Sequence, residues 1–269
     1  MSRTEERAFN RLLEFIGQEM DFESGFYNDA YLDRRITARM RRTDHDDYRS
    51  YQRLLERDED ERDALLDSLS INVTGFFRNP EAWEKLRLVL RELTASRRSV
   101  RVWCAPCADG REPYSIGMLA LDDPEINAYR LDILGTDINR DILDHARAGV
   151  YHASQMTDLD EELEPLDEYA AYIDRDDTRF EIRDAVKKLV TFEQHDLIRG
   201  DPKRNFDLML CRNLLIYIDA SYKTSVFDTI HGSLREGGYL MIGMTETLPT
   251  DRRRDFEPMY KQQRIYRRV

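Results

Sequence analysis

Apolar positions in the first seventy residues recur at three- and four-residue intervals. Phe9, Leu12, Leu13 and Ile16 share one face of ERAFNRLLEFIGQEM, and NDAYLDRRITARMRR, DDYRSYQRLLER and ERDALLDSLSI continue in the same manner. No strand-like run interrupts them, so residues 1–70 are predicted to form a separate helical domain. The linker 71–98 carries one more helix, opened by Asn79-Pro80, because proline suits a first helical turn. From residue 99 to 269 the pattern changes. Short apolar runs (VRVWCA, LDILGTD, FDLMLCR, GGYLMIG) alternate with helical segments (YSIGMLAL, RDILDHARAG, SVFDTIHGSL). Such alternation predicts an α/β fold, a Rossmann-like doubly wound sheet that binds ligand beyond the carboxyl ends of its strands. QQRIYRRV reads as a final strand added antiparallel at an edge. The charged stretch between Tyr151 and Leu189 breaks the alternation, and a small inserted subdomain is expected over about 151–189.

Length and charge narrow the function classes. A chain of 269 residues has room for one large domain and a small one. Its three cysteines are too few for a disulfide scaffold, and no apolar run reaches the roughly 18 residues that span a bilayer, so a reducing cytoplasmic location without membrane insertion is expected. The 53 acidic and 41 basic residues give a formal charge of −12, which disfavours nucleic acid and anionic lipid as partners. Arginine greatly outnumbers lysine and Asp is abundant, a composition resembling that of halophilic proteins that stay hydrated in concentrated salt.

CAPCADGREPYSIG, residues 104–117, carries the candidate chemistry. Cys104 and Cys107 have the spacing of a redox pair. A zinc site would need four ligands, and the five histidines are scattered, so no metal is expected. The context favours a ligand loop, with SVRVWCA a buried strand, PCADGRE the turn and Pro113 inside the start of a helix. Backbone N–H groups at such a turn face a ligand. The next strand ends on Asp137, about 27 residues after Gly110, where Rossmann-like sheets place a ribose-binding acid. The plainer readings are that Asp137 caps the following helix and that Glu112 is a first-turn helix charge.

INVTGFFRNPEAWEKL, RVWCAPCADGREPYSIGML, ILGTDINRDILDHARAGVY, FDLMLCRNLLIYID and GGYLMIGMTETL together resemble the CheR family of chemoreceptor glutamate methyltransferases, in that family's order. The resemblance implies S-adenosyl-L-methionine as cofactor, S-adenosyl-L-homocysteine as product, and glutamate side chains of receptor cytoplasmic helices as methyl acceptors. It implies cofactor contacts at Asn72, Thr74, Arg78, Glu112, Asp137, Asp196, Leu197, Cys211 and Arg212, with Arg78 and Tyr217 nearest the transferred methyl. The chain departs from the family at Pro106, which removes a backbone donor, at Arg111, which reverses a charge, and at Asp196, where Asn is common. A methyltransferase with another acceptor and a noncatalytic cofactor-binding adaptor are the alternatives. An adaptor would have no need of Arg78 and Tyr217.

Arg35, Arg39 and Arg42 fall on one stripe of the helix NDAYLDRRITARMRR. In so acidic a chain, such a stripe is expected to dock the Glu-rich acceptor helices by charge. Its plainer reading is a solvated face balanced by Asp33 and Asp44.

Overall fold

The computed structural model describes residues 3–20, 22–69, 74–154 and 157–269. The chain divides into two compact units, one of Met1–Asn72 with Tyr217–Tyr222, the other of Val73–Ile216 with Lys223–Val269.

The first unit holds four helices, α1 (Arg3–Glu19), α2 (Asp29–Arg42), α3 (Tyr48–Leu55) and α4 (Glu59–Leu69). Asn28 and Asp47 start α2 and α3 by accepting backbone N–H groups of the first turn on their side chains, the usual satisfaction of orphan donors. The apolar stripes read from the sequence meet in one core, with Phe9, Leu12, Ile16, Leu32, Ile36, Tyr51, Leu55 and Leu65 fully buried. Tyr217 packs against that core.

The second unit contains α5 (Pro80–Ser96), β1 (Val100–Cys104), α6 (Arg111–Asp122), β2 (Leu131–Asp137), α7 (Arg140–Ala148), β3 (Val150–His152), α8 (Leu159–Glu162), β4 (Ile173–Asp176), β5 (Arg179–Ile182), α9 (Asp184–Lys187), β6 (Val190–Gln194) and β7 (Phe206–Cys211). It continues with α10 (Ala220–Ser233), whose first residues belong to the first unit, then β8 (Leu234–Ile242), β9 (Phe256–Tyr260) and β10 (Ile265–Arg268). Seven strands form one sheet in the order β6-β2-β1-β7-β8-β10-β9. The first five are mutually parallel. β10 is antiparallel to both neighbours, but it is not an edge strand: it lies between β8 and β9, so β9 takes the edge. Pro258 in β9 suits that position, since an edge strand tolerates a missing N–H donor. β3, β5 and β4 make a separate antiparallel sheet within the stretch that broke the alternation.

The strand order reverses direction between β1 and β7, which creates a crevice at their carboxyl ends. Segments following β1, β2, β6, β7 and β8 begin at this one border of the sheet. Three backbone bonds tie the segments after β1 and β6 to the ends of β2 and β7: Cys107 N–H to Thr136 O (2.8 Å), Ala105 N–H to Leu210 O (2.9 Å) and His195 N–H to Asp137 O (3.0 Å).

Candidate functional site

The turn after β1 packs tightly for a steric reason. Gly110 has φ +88°, and a Cβ there would lie 2.9 Å from Ala146 Cβ and 3.0 Å from the Phe192 ring. Only glycine adopts this backbone in this space at little cost. Ala108, two residues earlier, also has positive φ, and its N–H donates to Asp137 Oδ2 at 3.0 Å. Asp137 Oδ1 accepts the Asn139 N–H at 3.1 Å. Asp137 is therefore not the cap of α7. Asn139 caps it, accepting from Asp141 and Ile142, and Asp137 ties the end of β2 to the turn after β1. Burial raises the Asp137 carboxyl above its ordinary value against the opposing pull of backbone N–H groups. Beside it, Ile138 is 50% exposed, an apolar surface at a polar border.

Glu112, in the first turn of α6, is 8% exposed and meets a cation rather than only a helix dipole. Arg212 Nη1 donates to Glu112 Oε2 at 2.9 Å, while Nη2 donates to Arg78 O at 2.8 Å and to Asn79 Oδ1 at 3.0 Å. Arg212 Nε is buried without a hydrogen-bond partner. Burial raises the Glu112 carboxyl, and the charges of Arg212 and Arg78 oppose the rise. Arg78 is flanked by Phe77 (φ +45°) and Asn79 (φ +64°), a left-handed pair that costs energy for a residue such as Phe. Ser115 Oγ accepts the Phe77 N–H at 3.1 Å, and Trp83 Nε1 donates to Arg78 O at 3.0 Å, so the strained segment is held from several sides.

The structure thus brings together Arg78, Glu112 and Arg212, and joins Asp137 to the neighbouring turn. Thr74 enters through its carbonyl, which accepts from Arg111 Nη1 at 3.4 Å. Asp196 makes a local turn, with Oδ1 accepting the N–H groups of Ile198 and Arg199, and Leu197 is buried beneath it. Cys211 is buried at the end of β7. Asn72 lies outside the described residues. Tyr217 falls in the helical unit and Arg78 in the other. Cys104 and Cys107 are both free and buried, and burial pushes their thiols well up, the reverse of an activated redox pair. No group of metal-ligating residues occurs among the described residues.

Two carboxylates escaped the sequence reading. Glu246, 2% exposed, accepts the N–H groups of Gly243 (2.6 Å), Asn213 (3.0 Å), Leu215 (2.7 Å) and Ile216 (3.4 Å), tying the segment after β7 to that after β8. Burial raises its carboxyl despite these donors. Its only sequence signal was an acid four residues after a buried strand. Glu162 of α8 accepts the Phe76 N–H at 2.9 Å and pairs with Arg111 at 3.5 Å. Arg111 also pairs with Asp109 and lies over the Phe76 and Tyr151 rings, so the reversed charge noted in the sequence has acids of its own.

In the helical unit, Arg39 binds Glu61 through Nε and Nη2, and Tyr51 donates to Glu61 Oε1 at 2.6 Å. Arg39 is consequently half-buried and committed to Glu61, in contrast to the expected docking stripe. Arg35 lies over the Tyr31 ring at 5.5 Å, whereas Arg34, Arg41 and Arg42 are exposed.

The donor set fits S-adenosyl-L-methionine. Buried acids suit its cationic groups and ribose hydroxyls, and Arg212 Nε is a buried donor without a hydrogen-bond partner at the same border.

Comparison with known proteins adds an independent line. Residues 7–70 match the family described as CheR methyltransferase, all-alpha domain, and residues 72–265 match CheR methyltransferase, SAM binding domain. The chain is 32% identical over 235 residues to a chemotaxis protein methyltransferase of Listeria monocytogenes, covering 87% of each. It is 36% identical over 203 residues to a probable chemotaxis protein methyltransferase of Rhizobium etli (73% and 75% covered). With chemotaxis protein methyltransferase 1 of Vibrio cholerae the identity is 34% over 197 residues (71% and 70%).

Proposed function

The chain belongs to the CheR methyltransferase family, and on that premise we propose that it transfers a methyl group from S-adenosyl-L-methionine to glutamate carboxylates of chemoreceptor cytoplasmic helices, forming methyl esters. The observation that carries this reading is the convergence of Glu112, Arg212 and the strained Arg78 segment beside the β1–β7 crevice.

When bound, the cofactor supplies a methyl group activated on a sulfonium. The protein's residues bind and orient. Asp137 accepts from the ribose hydroxyls, with Ile138 as the apolar neighbour for the base. Glu112 faces the cationic end, and Asn72, Thr74, Asp196, Leu197, Cys211 and Arg212 complete the cofactor wall. Arg78 and Tyr217 orient the acceptor.

Glutamate has an ordinary pKa of about 4.3, so its carboxylate is already ionised at neutral pH and no residue need remove a proton. Holding the reacting atoms in line and excluding water is the protein's whole task, worth up to about 7–11 kcal/mol for ideal placement. A cation on the acceptor stabilises the charged ground state more than the less charged transition state, so Arg78 acts as a clamp. The receptor helices dock on α2 through Arg35 and Arg42, joined by the exposed Arg34 and Arg41, since Arg39 is committed to Glu61.

Incubation with methyl-labelled cofactor and a receptor cytoplasmic fragment tests the reading. Base-labile label released as methanol is the expected result. Base-stable label would overturn glutamate esterification.

A further inference from the structure

Tyr217–Tyr222 interrupts the connection from β7 to β8, yet it is grouped with the helical unit and not with the sheet. Asn28 makes the attachment at its first residue. The backbone N–H and the side-chain Nδ2–H of Asn28 both donate to the Tyr217 carbonyl, each at 2.9 Å. At the same time Asn28 Oδ1 accepts the Tyr31 N–H at 2.9 Å and so caps α2. A backbone bridge from Tyr27 to Ile218 and the bond from Asp219 N–H to Phe26 O (2.8 Å) extend the seam. Tyr31, three residues after the capping asparagine, sets its ring against that of Tyr217, with centroids 4.7 Å apart and the planes tilted by 46°, and donates its hydroxyl to Leu69 O at 2.9 Å.

The cap alone does not call for asparagine, because Ser and Asp cap helices as well. An amide differs by carrying an acceptor and donors on one planar group. Here the acceptor faces the helix and a donor faces the tyrosine segment.

We propose that Asn28 is a positioning residue for Tyr217, fixing the tyrosine backbone to the N-terminus of α2. The helix that docks the acceptor and the tyrosine that orients it then move as one piece, and a docked receptor helix finds Tyr217 already placed. This rests on the reading of Tyr217 given under Proposed function.

Asn28→Asp and Asn28→Ser, made in the full chain, separate the two roles of Asn28. Both keep an oxygen to cap α2 and lose the Nδ2 donor, and Asp sets a carboxylate against the Tyr217 carbonyl. With labelled cofactor and receptor fragment, kcat should fall about tenfold or more in Asn28→Asp and less in Asn28→Ser. KM for the fragment and affinity for S-adenosyl-L-homocysteine should stay within about twofold. Hydrogen exchange should speed up at the Asn28 and Asp219 amides, the two N–H donors of the seam, while the α2 amides keep their protection. Unchanged kcat in both variants, or exchange that rises equally through α2, would overturn the proposal. Absence of ester in the wild-type chain would instead sink the functional reading, and the exchange result would still judge the attachment.

Discussion

Arg212 and Glu112, a hundred positions apart in sequence, meet at 2.9 Å between Nη1 and Oε2, with both side chains nearly excluded from water. Removing either partner leaves the other buried and unpaired, which costs far more than an exposed pair is worth. Arg212→Ala should lower unfolding free energy by about 3–5 kcal/mol in urea melts. Arg212→Lys should retain part of that stability but lose the two-pronged hold on Arg78 O and Asn79, and bind S-adenosyl-L-homocysteine more weakly by calorimetry. A lysine variant indistinguishable from wild type in both measurements would remove Arg212 from the site.

Burial lifts the Glu112 carboxyl above its ordinary value, so the folded chain holds that proton to higher pH than the unfolded chain does. The group's contribution to stability is fully present below the unfolded value of about 4.3 and is lost as pH rises through the folded value. Glu112→Gln removes this titration. Urea melts from about pH 4.5 to 7 should therefore show wild type losing ground to the glutamine variant as pH increases. The opposite slope would mean that Arg212 outweighs burial.

At Gly110 the backbone and the space both resist a side chain. Gly110→Ala should destabilise by about 1–3 kcal/mol from overpacking against Ala146 and Phe192, with the left-handed φ adding about 1 kcal/mol. Thermal melting reads the loss, and a melting point equal to wild type would show that the turn relaxes freely.

The three cysteines should be silent in the folded protein. Each is buried with its thiol pushed well above the ordinary value. Iodoacetamide at mildly alkaline pH should add no mass until denaturant is present, because thiolate and access are both lacking. Rapid labelling of Cys104 or Cys107 in the native chain would reopen the redox reading.

Two arginines on α2 should part company. Arg39→Ala leaves the buried Glu61 with the Tyr51 hydroxyl but no cation and should cost about 1.5–3 kcal/mol in urea melts, whereas Arg42→Ala on the exposed face should stay within about 0.5 kcal/mol. Arg42→Glu should raise KM for the receptor fragment at low salt and leave cofactor affinity intact. Equal stability losses at the two positions would contradict their different surroundings.

Periodicity alone was enough for the helices of the first unit and for the strand–helix alternation of the second, because burial of Leu12, Ile36, Val102 or Leu208 depends on local spacing that the sequence displays. Chain order also placed Gly110 and Asp137 at neighbouring strand ends. Pairings between distant segments have no such local signature. β10 took the place between β8 and β9 although its sequence reads equally well as an edge strand. Arg39 shared a helical stripe with Arg42, yet Glu61, brought in by another helix, claimed it. Glu246 looked like any acid after a strand until four backbone N–H groups converged on it. Tyr217 follows a strand of the sheet in sequence but was assigned to the helical unit by Asn28. Spacing along a chain determines which face a residue presents, while the partner of a buried charge or amide is decided only when segments far apart in sequence are packed together.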